Sequence, residues 1–238
     1  WLARWQAAEL YLREITALRS ELSLSASHAS DELRARVGSA REPYRALLAE
    51  VRDRLKATRA NAEASLSGAA PARDVSPAPY LSAAELAEPL ELCFRSLHAG
   101  GNEPVAAGRL TDILRRVQTF GVTLARLDLR QEADRHTEAV DWIAGVAGLG
   151  PYADRPEPDR QALLLRALDS NALSLDALPL DRASARVRDA IETLRVAARI
   201  HPESLGAYVI TMASQPSDVL AVELLQSAAR APQPQRVV

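Results

Sequence analysis

Asp128, Arg130, Gln131, Glu132, Asp134, Arg135 and His136 crowd into one short stretch, the densest group of chemically capable side chains in the chain. Arg130 is the first candidate. A guanidinium stays charged and offers a planar fork that matches two oxygens of a phosphate or carboxylate. By residue type alone, an ion pair with Asp128 or Glu132 is favoured over ligand binding. His136 has the chemistry of a general base, because imidazole titrates near neutrality. A helix-start histidine that hydrogen-bonds locally is the favoured reading of it. Ser217 and Asp218 follow Pro216. The free N–H groups of a helix start attract anions, although Ser and Asp there more often cap the helix. Gly100-Gly101 lacks a phosphate-loop context and reads as a helix stop. His28, His98 and His201 carry no partner pattern, and no spacing suits a metal. Cys93 is the single cysteine, which leaves no disulfide framework and no cysteine-based zinc site.

The elements that must position these groups are readable from periodicity. Val122 to Leu129 is an apolar run without proline and predicts a short buried strand. Ala133 to Val146 predicts a helix with Val140, Ile143 and Val146 as its apolar positions. Charged residues between a buried strand and a helix mark the carboxyl end of a β/α unit. A second short strand is predicted over Ala207–Met212. It is followed by a helix beginning near Pro216 and running through Val219–Ala229. The two strands are expected to pair in parallel, with the helices of 133–200 as the crossover.

The remaining pattern is helical. Trp1 to Leu22 places Leu2, Trp5, Ala8, Leu12, Ile15, Leu18 and Leu22 on one face, and its tryptophans are assigned to core packing. Further helices are predicted over Asp31–Val37, Glu42–Ser67, Leu110–Phe120, Gln161–Leu168 and Ser184–Ile200. Pro43 suits a first turn. Gly68–Leu81 and Asn171–Arg182 read as loops. Ser82-Ala83-Ala84-Glu85 is a capping-box pattern opening a helix that runs through Leu97. No internal repeat and no long heptad run is present.

The run TFGVTLARLDLRQEADRHTEAV, Thr119 to Val140, resembles a signature of the phosphoenolpyruvate carboxylase family. It departs at Leu129, where the pattern has Ile, and at Ala133, where it has Ser. A second block, Gly206 to Gln226, resembles the same family's AYxISMAxxPSDVLAV. The resemblance covers nearly the whole chain and is weakest over Ser67–Tyr80 and Ser170–Ser184. It implies the carboxylation of phosphoenolpyruvate by bicarbonate to oxaloacetate and phosphate, a carbon–carbon lyase activity of carbon dioxide fixation that feeds the tricarboxylic acid cycle. It also implies that Arg130 helps to bind phosphoenolpyruvate, with Asp128 and Gln131 orienting it. Pro43-Tyr44-Arg45, followed by Val51-Arg52-Asp53, is similar to a stretch of plant-type members in which the matching arginine serves a sugar-phosphate activator site. That makes Arg45 an effector-binding candidate. Periodicity alone favours a surface charge paired with a carboxylate.

The expected fold class is mainly α. The resemblance implies an internal fragment with two short parallel barrel strands, part of a larger helix-rich, TIM-like β/α barrel enzyme. It divides into a helical scaffold, residues 1–67, and partial barrel strands with surrounding helices, residues 82–238. The family's metal-binding Glu, its upstream catalytic His and its glycine-rich mobile loop have no match here, so catalysis by the fragment alone is not expected. Mg2+ or Mn2+ is implied for the whole enzyme and no bound ion for this part. Small-molecule allosteric effectors, a homotetramer and a cytoplasmic location are implied as well. The chain has 29 basic and 31 acidic residues and a net charge of −2, which gives no case for nucleic acid or a membrane surface. Lys56 is the lone lysine, a bias better ascribed to genome composition than to an anion-binding surface. No apolar run is long enough to span a bilayer. The competing reading is a non-catalytic helical regulatory or interaction module. An exposed apolar face would favour the module, and an Arg130 side chain in a polar cleft at the strand ends would favour the enzyme.

Overall fold

The structure is a computed structural model that describes residues 1–69 and 76–238. Part of the predicted loop Gly68–Leu81, residues 70–75, lies outside the described residues. The chain divides into two compact units, Trp1–Ala125 and Arg126–Val238. The sequence reading separated 1–67 from 82–238. The division falls later because Tyr80, Leu86, Leu90, Leu97 and Val117 all join the core of the first unit.

The first unit is helical: α1 Leu2–Glu21, α2 Asp31–Val37, α3 Pro43–Leu66, α4 Ala83–Ala99, α5 Glu103–Val105 and α6 Thr111–Phe120, the last entered through a π-helical turn at Ala106–Leu110. Local chemistry sets the starts. Ser30 Oγ accepts from Leu33 N–H and Ser82 Oγ from Glu85 N–H, each at 3.2 Å, which satisfies one free donor of each helix. Pro43 occupies the first turn of α3, where its missing N–H removes no helical bond. Helices α1 and α3 run antiparallel, since Arg59 pairs with Glu9 near one end and Arg45 reaches Arg19 O near the other. Ile15, Leu48, Val51 and Leu55 are fully buried, each stabilising the unit by about 1.5–3 kcal/mol. The buried stripe of α1 runs through Arg4, Ala7, Ala8, Tyr11, Leu12, Ile15 and Leu18. Leu2 therefore falls off it and is exposed, Trp5 is half-buried and Trp1 is exposed. The expectation that both tryptophans are core residues is corrected accordingly. Gly121 ends α6 at φ 54, a left-handed angle that suits glycine. Its carbonyl accepts the Tyr11 hydroxyl at 2.9 Å.

The second unit contains β1 Leu127–Glu132, α7 Ala133–Val146, α8 Glu157–Ser170, α9 Ala185–Arg199, β2 Leu205–Thr211 and α10 Pro216–Ala228. The strands pair in parallel, with Arg130 beside Val209 and Glu132 beside Thr211, as the strand–helix–strand pattern predicts. One core holds Ala139, Val140, Ile143, Leu164, Ile191, Leu194, Tyr208, Val222 and Leu225. The first strand lies later than Val122–Leu129. Val122 is buried in the first unit's core and Leu124 packs against that core at a left-handed φ of 65. Extended backbone begins only after this turn, so the apolar run serves two cores and Arg130, Gln131 and Glu132 lie within the strand. A third parallel segment was not foreseen. Val238 N–H donates to Tyr208 O, and Tyr208 and Ile210 N–H donate to Arg236 O and Val238 O, all at 2.9 Å.

Candidate active site

Strand alternation decides which side chains of β1 are available. Leu129 packs against the core of the second unit, so Asp128, Arg130 and Glu132 point to the other face and are exposed. On β2 the core positions are Tyr208 and Ile210, which leaves Val209 and Thr211 beside Arg130 and Glu132. At the carboxyl ends of the strands, Arg130, Gln131, Glu132, Arg135 and Thr211 line an open cleft of about 350 Å³.

Arg130 is the freest charge in this cleft. Its side chain is 71% exposed and its ion-pair partner Asp128 lies 3.9 Å away, too far for a hydrogen bond. Arg135 is held by Asp189 at 2.6 Å, and Arg186 sits 3.7 Å from Glu132 and 3.4 Å from Glu138. The neighbouring charges are thus largely paired with one another. Asp128 does more than face Arg130, because its Oδ1 accepts the Ala207 N–H across the sheet at 2.9 Å.

Behind the cleft runs a polar chain into the core. The Tyr208 hydroxyl donates to Gln131 Oε1 at 3.4 Å and lies 2.8 Å from His136 Nε2. His136 Nδ1 is buried without a partner among the described residues. His136 is fully buried. Burial pushes its pKa down to about 4, against the opposing pull of Asp218, with Arg135 adding to the depression. Burial also raises the Tyr208 hydroxyl well above its ordinary value. His136 is therefore a neutral hydrogen-bonding core residue whose partner is distant in sequence rather than local. The general-base reading does not fit this burial. Gln131 contacts Tyr208 rather than Arg130.

The other candidates separate clearly. Asp218 Oδ2 accepts from Ser214 and Gln215 N–H at 2.8 and 2.9 Å, closing a capping box. Ser217 N–H and hydroxyl both donate to Glu157, at 2.9 and 2.7 Å. The start of α10 thus already holds the chain's own carboxylate. Arg45 donates to the carbonyls of Arg19 and Ser20 and to both oxygens of Glu42, tying the end of α1 to the start of α3. Gly100 and Gly101 follow α4 as its stop. Cys93 is fully buried and burial pushes its thiol up to about 12, which makes it unreactive. Among the described residues no group of His, Cys, Asp and Glu is arranged to hold a metal ion, and no helix is long and apolar enough to cross a membrane.

Sequence reasoning missed three features of this site. His136–Tyr208 and Ser217–Glu157 join residues far apart in the chain and leave no local signal. The extra residue in β2 opposite Asp128 was signalled only by Gly206, since glycine in a strand often marks a bulge. A family model described as phosphoenolpyruvate carboxylase matches residues 1–237. The chain is 50% identical over its whole length to the phosphoenolpyruvate carboxylase of Marinobacter nauticus, covering 26% of that protein. It is 48% identical over 94% of its length to the enzyme of Hahella chejuensis and 48% identical over all of it to that of Pseudomonas entomophila, covering 25% and 26% of them. The chain thus spans about a quarter of the length of these relatives, and with the matching signatures around Arg130 and Gly206 it belongs to the phosphoenolpyruvate carboxylase family.

Proposed function

We propose that this chain forms the phosphoenolpyruvate-binding wall of an enzyme that joins phosphoenolpyruvate to bicarbonate, giving oxaloacetate and phosphate. One observation carries the reading: Arg130 stands on the open face at the carboxyl end of β1, 71% exposed, with no ion-pair partner closer than 3.9 Å among the described residues. A guanidinium so placed can give two N–H groups to two oxygens of one anion. Its seat on a strand fixes its direction better than a loop would. Glu132 and Arg135 are restrained by Arg186 and Asp189, so Arg130 carries the unspent positive charge that draws the anion into the cleft. The polar cleft at the strand ends also favours the enzyme over the helical-module alternative.

The Mg2+ or Mn2+ of the whole enzyme belongs to this reading. So do a homotetramer, a cytoplasmic location and small-molecule effectors. Arg45 can contact an effector only by exchanging partners, because an incoming anion must displace Glu42. The test is oxaloacetate formation by a full-length carboxylase carrying this sequence, supplied with phosphoenolpyruvate, bicarbonate and magnesium. Turnover by the full-length enzyme and silence of the isolated chain are expected. A full-length enzyme that forms no oxaloacetate overturns the reading in favour of the helical module.

A further inference from the structure

The two strands advance unequally near their start. Leu127 pairs with Leu205 and Leu129 with Tyr208, so two steps along β1 match three along β2. One residue of β2 is extra, which makes a bulge. A bulge takes a backbone group out of the ladder, and an N–H left unpaired there loosens the pairing. Here the Ala207 N–H is taken by Asp128 Oδ1 at 2.9 Å. A side chain of β1 thus supplies the acceptor that the backbone cannot. Gly206 makes the approach possible, because a Cβ at that position would overlap the Asp128 carboxylate. Asp128 and Arg130 share one face of β1. The second carboxylate oxygen, Oδ2, stands 3.9 Å from Arg130 Nη2, close enough to bias the guanidinium and too far to occupy it.

We infer that Asp128 and Gly206 form a clamp that fixes the β1–β2 register and thereby aims Arg130. Asp128 is then a positioning residue. The inference rests on the reading of Arg130 as the phosphoenolpyruvate contact, and it explains how one exposed arginine on a strand end keeps a defined direction. The acceptor at Oδ1 matters more than the charge, since a neutral amide oxygen can hold the same N–H.

The test uses a full-length carboxylase carrying this sequence, with Asp128→Ala, Asp128→Asn and Gly206→Ala. Two readouts are taken: KM and kcat for phosphoenolpyruvate and for bicarbonate, and hydrogen–deuterium exchange of the peptide containing Leu205–Thr211. Asp128→Ala is expected to raise KM for phosphoenolpyruvate about three- to tenfold, the scale of one lost hydrogen bond. The bicarbonate KM stays within about twofold by the same reasoning, because the clamp acts through Arg130 alone. Gly206→Ala is expected to do the same by displacing the carboxylate. Asp128→Asn should restore both the KM and the protected amide that Asp128→Ala loses. An unchanged KM in Asp128→Ala overturns the inference, as does Asp128→Asn behaving like Asp128→Ala. If the unaltered enzyme does not turn over, or Arg130→Ala has full activity, the substrate reading fails. The exchange data still decide the clamp, which falls if the Ala207 amide is as protected in Asp128→Ala as in the unaltered enzyme.

Discussion

Replacing His136 by Gln separates its hydrogen bond from its titration. The imidazole is fully buried and its pKa lies near 4 in the folded chain, against 6.5 for the free group. The unfolded chain therefore binds a proton between pH 6.5 and 4 that the folded chain refuses. Stability should be intact above pH 6.5, fall as pH drops through that window, and level off below pH 4. Between pH 7 and pH 5 the linkage relation gives a loss of about 2 kcal/mol from this one residue. Glutamine at 136 can still hydrogen-bond to Tyr208 but does not titrate, so His136→Gln should lack this part of the slope. The carboxylates held low by partners, such as Glu14 and Glu157, lose their contribution at lower pH, below their ordinary values. The assay is urea unfolding of the chain and the variant at pH 7, 6 and 5. Equal losses of stability in the two proteins between pH 7 and pH 5 refute the reasoning, and with it the neutral, desolvated state assigned to His136.

Three further outcomes follow from the packing and the polar contacts. Leu55 is fully buried in the first unit's core, so Leu55→Ala should destabilise by about 2–5 kcal/mol in urea unfolding, with an unchanged denaturant slope. Gln226 accepts from Gln235 N–H at 2.7 Å and donates to Gln235 O at 3.1 Å, all buried. Gln226→Ala should release the 236–238 segment and speed exchange of the Val238 and Tyr208 amides about tenfold or more. Tyr208→Phe leaves the buried Nε2 of His136 without its partner and should cost about 1–3 kcal/mol at pH 7, read as a lower urea midpoint.

The helical character and the parallel pairing were legible in the sequence, each for a physical reason. Apolar stretches recurring at helical spacing, with polar residues on the opposite side, mark the helices. The helical crossover between two apolar runs requires parallel strands. The start of β1 was not legible, because Val122 and Leu124 are as apolar as strand residues but pack into a different core. The partners of His136 and Ser217 were hidden for another reason. Each is a polar side chain satisfied by a residue that only the fold brings near, at sequence separations of 72 and 60, whereas the carboxylate that pairs with Arg45 is the nearby Glu42.

The most direct test of the account is the KM for phosphoenolpyruvate of a full-length carboxylase carrying Arg130→Ala, measured beside the unaltered enzyme and Arg130→Lys. Loss of charge-assisted hydrogen bonds to an anion predicts a rise of about ten- to a hundredfold. Lysine should recover part of it, because it keeps the charge without the fork. An unchanged KM and undiminished turnover in Arg130→Ala would contradict the assignment of Arg130 to the substrate.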